Sequence, residues 1–197
     1  MARSVVRANP TSGNQLDNHA LAVVRKHQPW VLDKPSRFDV ERFFENDLVS
    51  ITGVEFDYRP LRYDVLGYTD SDEMVSVVSA SLAEDESNLF RATVAHEIGH
   101  AILHVPQFRR RKQLLKFVDN DDLDVVGLRM YRDDEIPLYE NPEWQAWRFA
   151  KGLLMPVSMV VQACQMNYSF EEMSSDFGVS VAFVRSRLKD LKLQSRS

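Results

Sequence analysis

The sequence predicts an α+β fold, with a small sheet of about three strands set among helices and a helical unit at the C-terminus. Three observations carry this. Between residues 54 and 82 the chain turns β-branched and aromatic and partly alternates, in "VEFDYRPL", "YDVLGYT" and "EMVSVVSASL". Flanking runs such as "NPEWQAWRFAKGLLM" place apolar residues at helical spacing between cap and stop residues. Residues 169–193 then read as helix, turn, helix.

Taken in order, residues 1–17 are rich in Asn, Ser, Gly and Pro and are expected to be a mobile terminus. "NHALAVVRKH" (18–27) reads as a short helix stopped before Pro29, and "SRFDVERFFEND" (36–47) as another, with Ser36 as N-cap and Phe38, Phe43 and Phe44 near its apolar face. Strands are expected over 54–61, 63–69 and 73–82, with "TDSDE" (69–73) as a turn. The acidic "AEDESN" (83–88) leads into a helix from about Asn88 to His104, ended by Pro106. Residues 105–140 are expected to be largely loop, with "RRRK" (109–112) as a solvated basic face and "DNDDLD" (119–124) as an acidic stretch. Asn141 as N-cap, Pro142 at the first helical position and Pro156 as the stop define a helix over 141–155. A further helix covers 157–166; Ser169 with Glu172 forms a capping box, and Ser180 caps the last helix. The expected division is a terminus (1–17), a main domain (18–156) and a C-terminal helical unit (157–197).

The 197 residues suit one domain, or one with an appendage, and 44% hydrophobic content is enough for a real core. A net charge of −5 argues for solubility and against wholesale wrapping of nucleic acid. Cys164 is the sole cysteine, which excludes an internal disulfide and a thiolate zinc knuckle; it reads as a buried small hydrophobe. The N-terminus has no apolar core of a secretion signal and no run approaches a membrane span, so a cytoplasmic location is expected.

The chemistry concentrates in "ATVAHEIGHAILH" (92–104), which holds three of the five histidines. Residues i and i+4 of a helix share a face, with side-chain roots ~5–6 Å apart, so His96 and His100 can reach one metal ion. Glu97 is rotated ~100° from His96 and flanks that ion, where it can take a proton from a water. This is the HExxH pattern, in which zinc makes the nucleophile and the glutamate is the general base. The uncharged flanks place these turns in a core, and Gly99 suggests close approach by another element, such as substrate or the sheet. A catalytic zinc takes three protein ligands and keeps a fourth position open. His104 lies two turns from His96, ~12 Å along the axis, too far for one ion. It reads as a residue behind the ligands or facing substrate, or as a helix-end histidine favoured by the dipole. Glu143 is the better third candidate, with Ala146 and Ala150 on its face permitting tight packing; Glu140 is the fallback. Such a site is compatible with zinc or manganese.

"FRATVAHEIGHAILH" followed by "EWQAWRFAKGLLMP" (143–156) resembles the ImmA/IrrE family of metallopeptidases, which carries an F-T-x-A-H-E-x-G-H helix and then an E-x-x-A-x-x-F-A-x-x-L-L-M-P helix. Glu143, Ala146, Phe149, Ala150, Leu153, Leu154, Met155 and Pro156 fall on the second pattern, and the likeness extends over roughly residues 36–193. The resemblance implies a zincin-like metallopeptidase domain with His96, His100 and Glu143 as zinc ligands and Glu97 as general base. It also implies a protein substrate, such as a helix-turn-helix repressor in phage, mobile-element or stress regulation. Two features depart from the pattern. Gln145 stands where many members have a second acidic residue, and the stretch between His100 and Glu143 is long and charged.

Other readings stand beside this one. A fourth ligand, from His104 or an aspartate of 119–124, would make a metal-containing protein that acts by docking to a partner. Arg185, Arg187, Lys189 and Lys192 on the last helix suggest direct DNA contact, against the simpler reading that they complement the helix dipole. His104, Tyr131 and Tyr139 are candidates for stabilising an oxyanion, residues 74–79 for the strand that takes an extended substrate, and Trp144 and Trp147 for packing.

Overall fold

A computed structural model describes residues 4–84, 87–115, 129–132 and 135–193, and the acidic stretch 119–124 lies outside them. Strand β1 (Ser4–Val6) precedes helix α1 (Gly13–His27). The helix starts ahead of the expected Asn18 because Ser12 and Gln15 form a capping box, satisfying two N-terminal donors. The tract expected to be mobile therefore carries a strand and the first turn of a helix. Next comes a continuous helical run of α2 (Val40–Arg42), a π-helical turn (Phe43–Asp47) and α3 (Leu48–Thr52). Its N-cap is Asp39, whose carboxylate accepts from the Arg42 amide at 3.1 Å, rather than the expected Ser36. Phe38, Phe43 and Phe44 are all buried.

The sheet comprises β2 (Glu55–Arg59), β3 (Gly67–Asp70) and β4 (Val75–Ser79), in spatial order β2-β4-β3. β4 runs parallel to β2, with Glu55 opposite Val75, and antiparallel to β3, with Gly67 opposite Val78. Every residue of β4 is buried. This corrects the expectation that residues 74–79 offer a free edge: β4 is the central strand, and its uncharged run of valines and serines is buried on both faces. Among the described residues the free edges belong to β2 and β3.

α4 (Ala80–Ala83) leads to α5 (Asn88–Leu103), capped by Ser87 Oγ, which accepts from the Phe90 amide. α5 is apolar almost all round because it packs against β3, β4, α2 and α7. It stops at His104, and α6 (Val105–Leu115) follows at once. The helix thus ends where the sequence places its end, just before Pro106. Pro106 itself lies in the first turn of α6, where a missing N–H is tolerated. Nor is the basic run of α6 simply solvated. Arg109 donates to the Ser71 carbonyl, Lys112 to Asp72, and Arg111 to the Arg7 carbonyl and to Asn9 Oδ1, so α6 braces the β3–β4 turn and the N-terminal segment. β5 (Met130–Arg132) pairs antiparallel with β1.

α7 (Pro142–Leu154) begins as expected, with Asn141 Oδ1 accepting from the Glu143 and Trp144 amides. α8 (Val157–Gln165), α9 (Phe170–Phe177) and α10 (Val181–Leu191) complete the chain. Their Val160, Met173, Phe177, Val184 and Leu188 join the same apolar core as Phe44, Val78, Ile98 and Phe149. Cys164 is a free thiol at the edge of that core, only partly buried. An ionic cluster joins α1, α7 and α10. Asp17 of α1 accepts from Arg187 of α10 at 2.7 Å and from Arg148 of α7 at 2.6 Å, and Arg187 also donates to the Met155 carbonyl. Arg187 is 0% exposed, so this member of the basic set considered for DNA contact serves the interior. No helix among the described residues is long and apolar enough to cross a membrane.

Candidate metal centre

His96 and His100 project from the buried middle of α5, and Glu143 from the first turn of α7. His96 Nε2 and His100 Nε2 are 3.0 Å apart. Glu143 places Oε2 at 3.5 Å from His96 Nε2 and Oε1 at 3.7 Å from His100 Nε2. Ligand atoms ~2.0–2.1 Å from a tetrahedral ion lie about 3.3 Å from one another, so this triangle has the size of one face of a zinc coordination shell. These are the one group of at least three His, Cys, Asp or Glu side chains among the described residues arranged to hold an ion. Two nitrogens and a carboxylate oxygen are also the donor set of a catalytic zinc. Glu140, the fallback, sits instead opposite Arg7 at 3.7 Å.

Packing sets this spacing. A Cβ on Gly99 would meet the Ala146 Cα and carbonyl oxygen, both at 3.1 Å. The close approach inferred from Gly99 is therefore to α7 rather than to substrate or sheet. Bare glycine against alanine lets the two helices nearly touch, and Glu143, one turn before Ala146, falls opposite the histidines. Trp147, one position further, packs its ring against His96, with centroids 4.3 Å apart and planes tilted by 38°.

Glu97 faces the sheet. Its carboxylate is buried, and Oε2 accepts from Thr69 Oγ1 at 2.7 Å. Ser76 Oγ lies 2.9 Å from the same Thr69 oxygen. Because the threonine hydrogen goes to the carboxylate, the serine must donate to the threonine. Gly67 makes room for this: a Cβ there would come within 3.0 Å of Glu97 Oε1 and 2.9 Å of the Val77 carbonyl. Both Thr69 and Gly67 lie on β3, whose outer edge carries no partner strand among the described residues. A cleft of about 510 Å³ opens between that strand and α7, lined by Leu66, Tyr68, Thr69, Thr93 and Trp147 together with the metal-binding candidates and Glu97. Tyr131 and Tyr139 do not line it; Tyr131 stacks with Arg7.

His104 lies behind the histidine pair. It is 1% exposed, its Nδ1 is 3.0 Å from His100 Nδ1, and its Nε2 is 3.1 Å from Gln145 Oε1. Burial pushes its pKa down to about 4, so it is neutral and is not a helix-end cation. Nor does it join the ligand group as a fourth member. Thr69 and the His104–Gln145 pair are the functional neighbours that sequence reasoning leaves out or leaves unassigned.

The sequence pattern of the IrrE N-terminal-like domain (Peptidase_M78) matches residues 67–189, from β3 through nearly all of α10. No curated protein matches the chain. A solved structure described as a Mycobacterium tuberculosis transcriptional regulator is similar in fold, with a TM-score of 0.59 at 16% identity over 93% of this chain. This chain spans only 49% of that one, about half its length. The family match covers more than half of the sequence and takes in both helices of the site, so the chain belongs to the IrrE N-terminal-like domain family.

Proposed function

We propose that this chain is a metal-dependent endopeptidase, zinc being the expected ion and manganese the alternative, and that it cleaves a specific protein such as a DNA-binding repressor. The observation that carries the reading is the triangle of His96, His100 and Glu143 beside Glu97, lining a cleft next to a strand edge that is unpaired among the described residues. A divalent ion held there would lower the pKa of a water toward ~7 and polarise a peptide carbonyl. The protein does the rest. An extended substrate segment adds to the free edge of β3, which aligns its backbone across the cleft. Glu97, steadied by Thr69, accepts the proton of the attacking water and passes it to the departing amine. Trp147 and the α5–α7 contact hold His96 and Glu143 in place while this happens.

The test uses zinc-loaded protein, candidate helix-turn-helix repressors and intact mass as the readout, with Glu97→Gln in parallel. Cleavage at one bond by the wild type, reduced ~10²–10⁴-fold in Glu97→Gln with metal retained, is the expected result. Equal cleavage by both proteins would remove Glu97 from the chemistry.

A further inference from the structure

Backbone groups remote from the cleft dictate the hydrogen positions behind His100. Gln145 Nε2 lies 2.7 Å from the Tyr139 carbonyl oxygen and 2.9 Å from that of Asn9. Carbonyl oxygens only accept, so the amide nitrogen must face them and Oε1 must face His104. That oxygen also only accepts, so His104 Nε2 carries a hydrogen. His104 is 1% exposed, and among the described residues its nitrogens face this amide oxygen and an imidazole. Such a ring is neutral, which leaves Nδ1 bare. His100 Nδ1, 3.0 Å away, must then be the donor. His100 Nε2 is left unprotonated, its lone pair directed toward His96 Nε2 at 3.0 Å and toward Glu143.

We propose that Gln145 and His104 are positioning residues that, anchored by the Asn9 and Tyr139 carbonyls, lock His100 in the Nδ1–H tautomer and so present Nε2 as a preformed ligand atom. The proposal rests on the reading of His96, His100 and Glu143 as a metal site. It gives a reason for an amide at position 145. A carboxylate there would set its oxygens against two carbonyl oxygens with no hydrogen between them, whereas an amide meets both sides of its surroundings. It also gives the N-terminal segment a role. Asn9 lies outside the 67–189 family match, and the Ala8 and Thr11 amides bond to the Glu140 and Tyr139 carbonyls on either side of the anchor. His96 is treated differently. Its Nδ1 is buried without a hydrogen-bond partner among the described residues, and packing against Trp147 orients its ring instead.

The experiment is long-range ¹H–¹⁵N NMR on histidine-labelled full-length chain, metal-free and then zinc-loaded, at neutral pH. The proposal expects His104 as the Nε2–H tautomer and His100 as Nδ1–H before any metal is added, with no change of either proton on zinc binding. His104 as Nδ1–H, or His100 as Nε2–H in the metal-free chain, would overturn it. In Gln145→Met and His104→Phe, His100 should show mixed tautomers, and the zinc dissociation constant from chelator competition should rise ~10–100-fold at unchanged stoichiometry. Unchanged affinity in a folded variant would overturn the positioning role. If either variant fails to fold, the wild-type spectrum still decides. A wild-type chain with the expected tautomers that binds no zinc would defeat the metal-site reading while leaving the hydrogen-bond order intact.

Discussion

Thr69 Oγ1 donates to Glu97 Oε2 at 2.7 Å, joining the edge strand of the sheet to the helix that carries the HExxH pattern. A hydrogen bond to a charged group is worth ~1.5–3 kcal/mol, and here it steers a carboxylate that must meet both water and leaving group. Thr69→Val keeps the β-branched shape and removes the donor. The expected result is a fall in kcat of about tenfold or more, with zinc content unchanged. Equal kcat in the two proteins would show that Glu97 needs no such support.

Gly99→Ala opposes two effects. Alanine raises helix propensity by ~1 kcal/mol. Its methyl, however, would lie 3.1 Å from the Ala146 backbone, which cannot swing aside as a side-chain tip can. Overpacking of this kind costs ~1–3 kcal/mol. The variant is expected to melt lower and, because α5 and α7 are pushed apart, to bind zinc more weakly. A rise in Tm with unchanged affinity would mean the helices are less tightly apposed than this contact implies.

Asp17 pairs with two buried arginines from two other helices, Arg148 and Arg187, and Asp190 is a second carboxylate 3.3 Å from Arg148. Asp17→Ala leaves both charges in the interior without it, and removing one partner of a buried ion pair costs ~3–5 kcal/mol. Urea unfolding should show a loss of that order. A loss under ~1 kcal/mol, the range of an exposed pair, would place the cluster in contact with water.

Acid should weaken the metal-free fold through His104. Its pKa is lowered by burial from 6.5 in the unfolded chain to about 4 in the native one. Between those values the unfolded state binds the extra proton, so stability falls as pH drops from about 6.5 to about 4. The full effect is on the order of 3 kcal/mol. His104→Phe should show a correspondingly shallower decline in urea-derived stability over that range, whereas parallel profiles would mean the imidazole is not held neutral.

Much of the site was readable because its signals are local. The α5 motif has helical spacing within two turns, and the Asn141, Pro142 and Pro156 punctuation bounds α7 and puts Glu143 in its first turn. Thr69 was not readable, since a strand threonine acquires its role only when the fold sets it against Glu97. The order of hydrogens behind His100 depends on Asn9 and Gln145, 136 residues apart in sequence. Two misreadings did carry a signal. The charge-free "VSVVS" of β4 suits a central strand rather than an edge, and Arg187 shares the helix face of Val184 and Leu188 and is buried with them.

The central claim is that His96, His100 and Glu143 hold one divalent ion. The most direct measurement is elemental metal analysis of protein purified without added metal and after zinc reconstitution, for wild type and Glu143→Ala side by side. The account predicts one zinc per wild-type chain after reconstitution, and its loss or a severe weakening of binding in a folded Glu143→Ala. A wild-type chain that takes up no metal, or a variant that holds it equally tightly, would contradict the account.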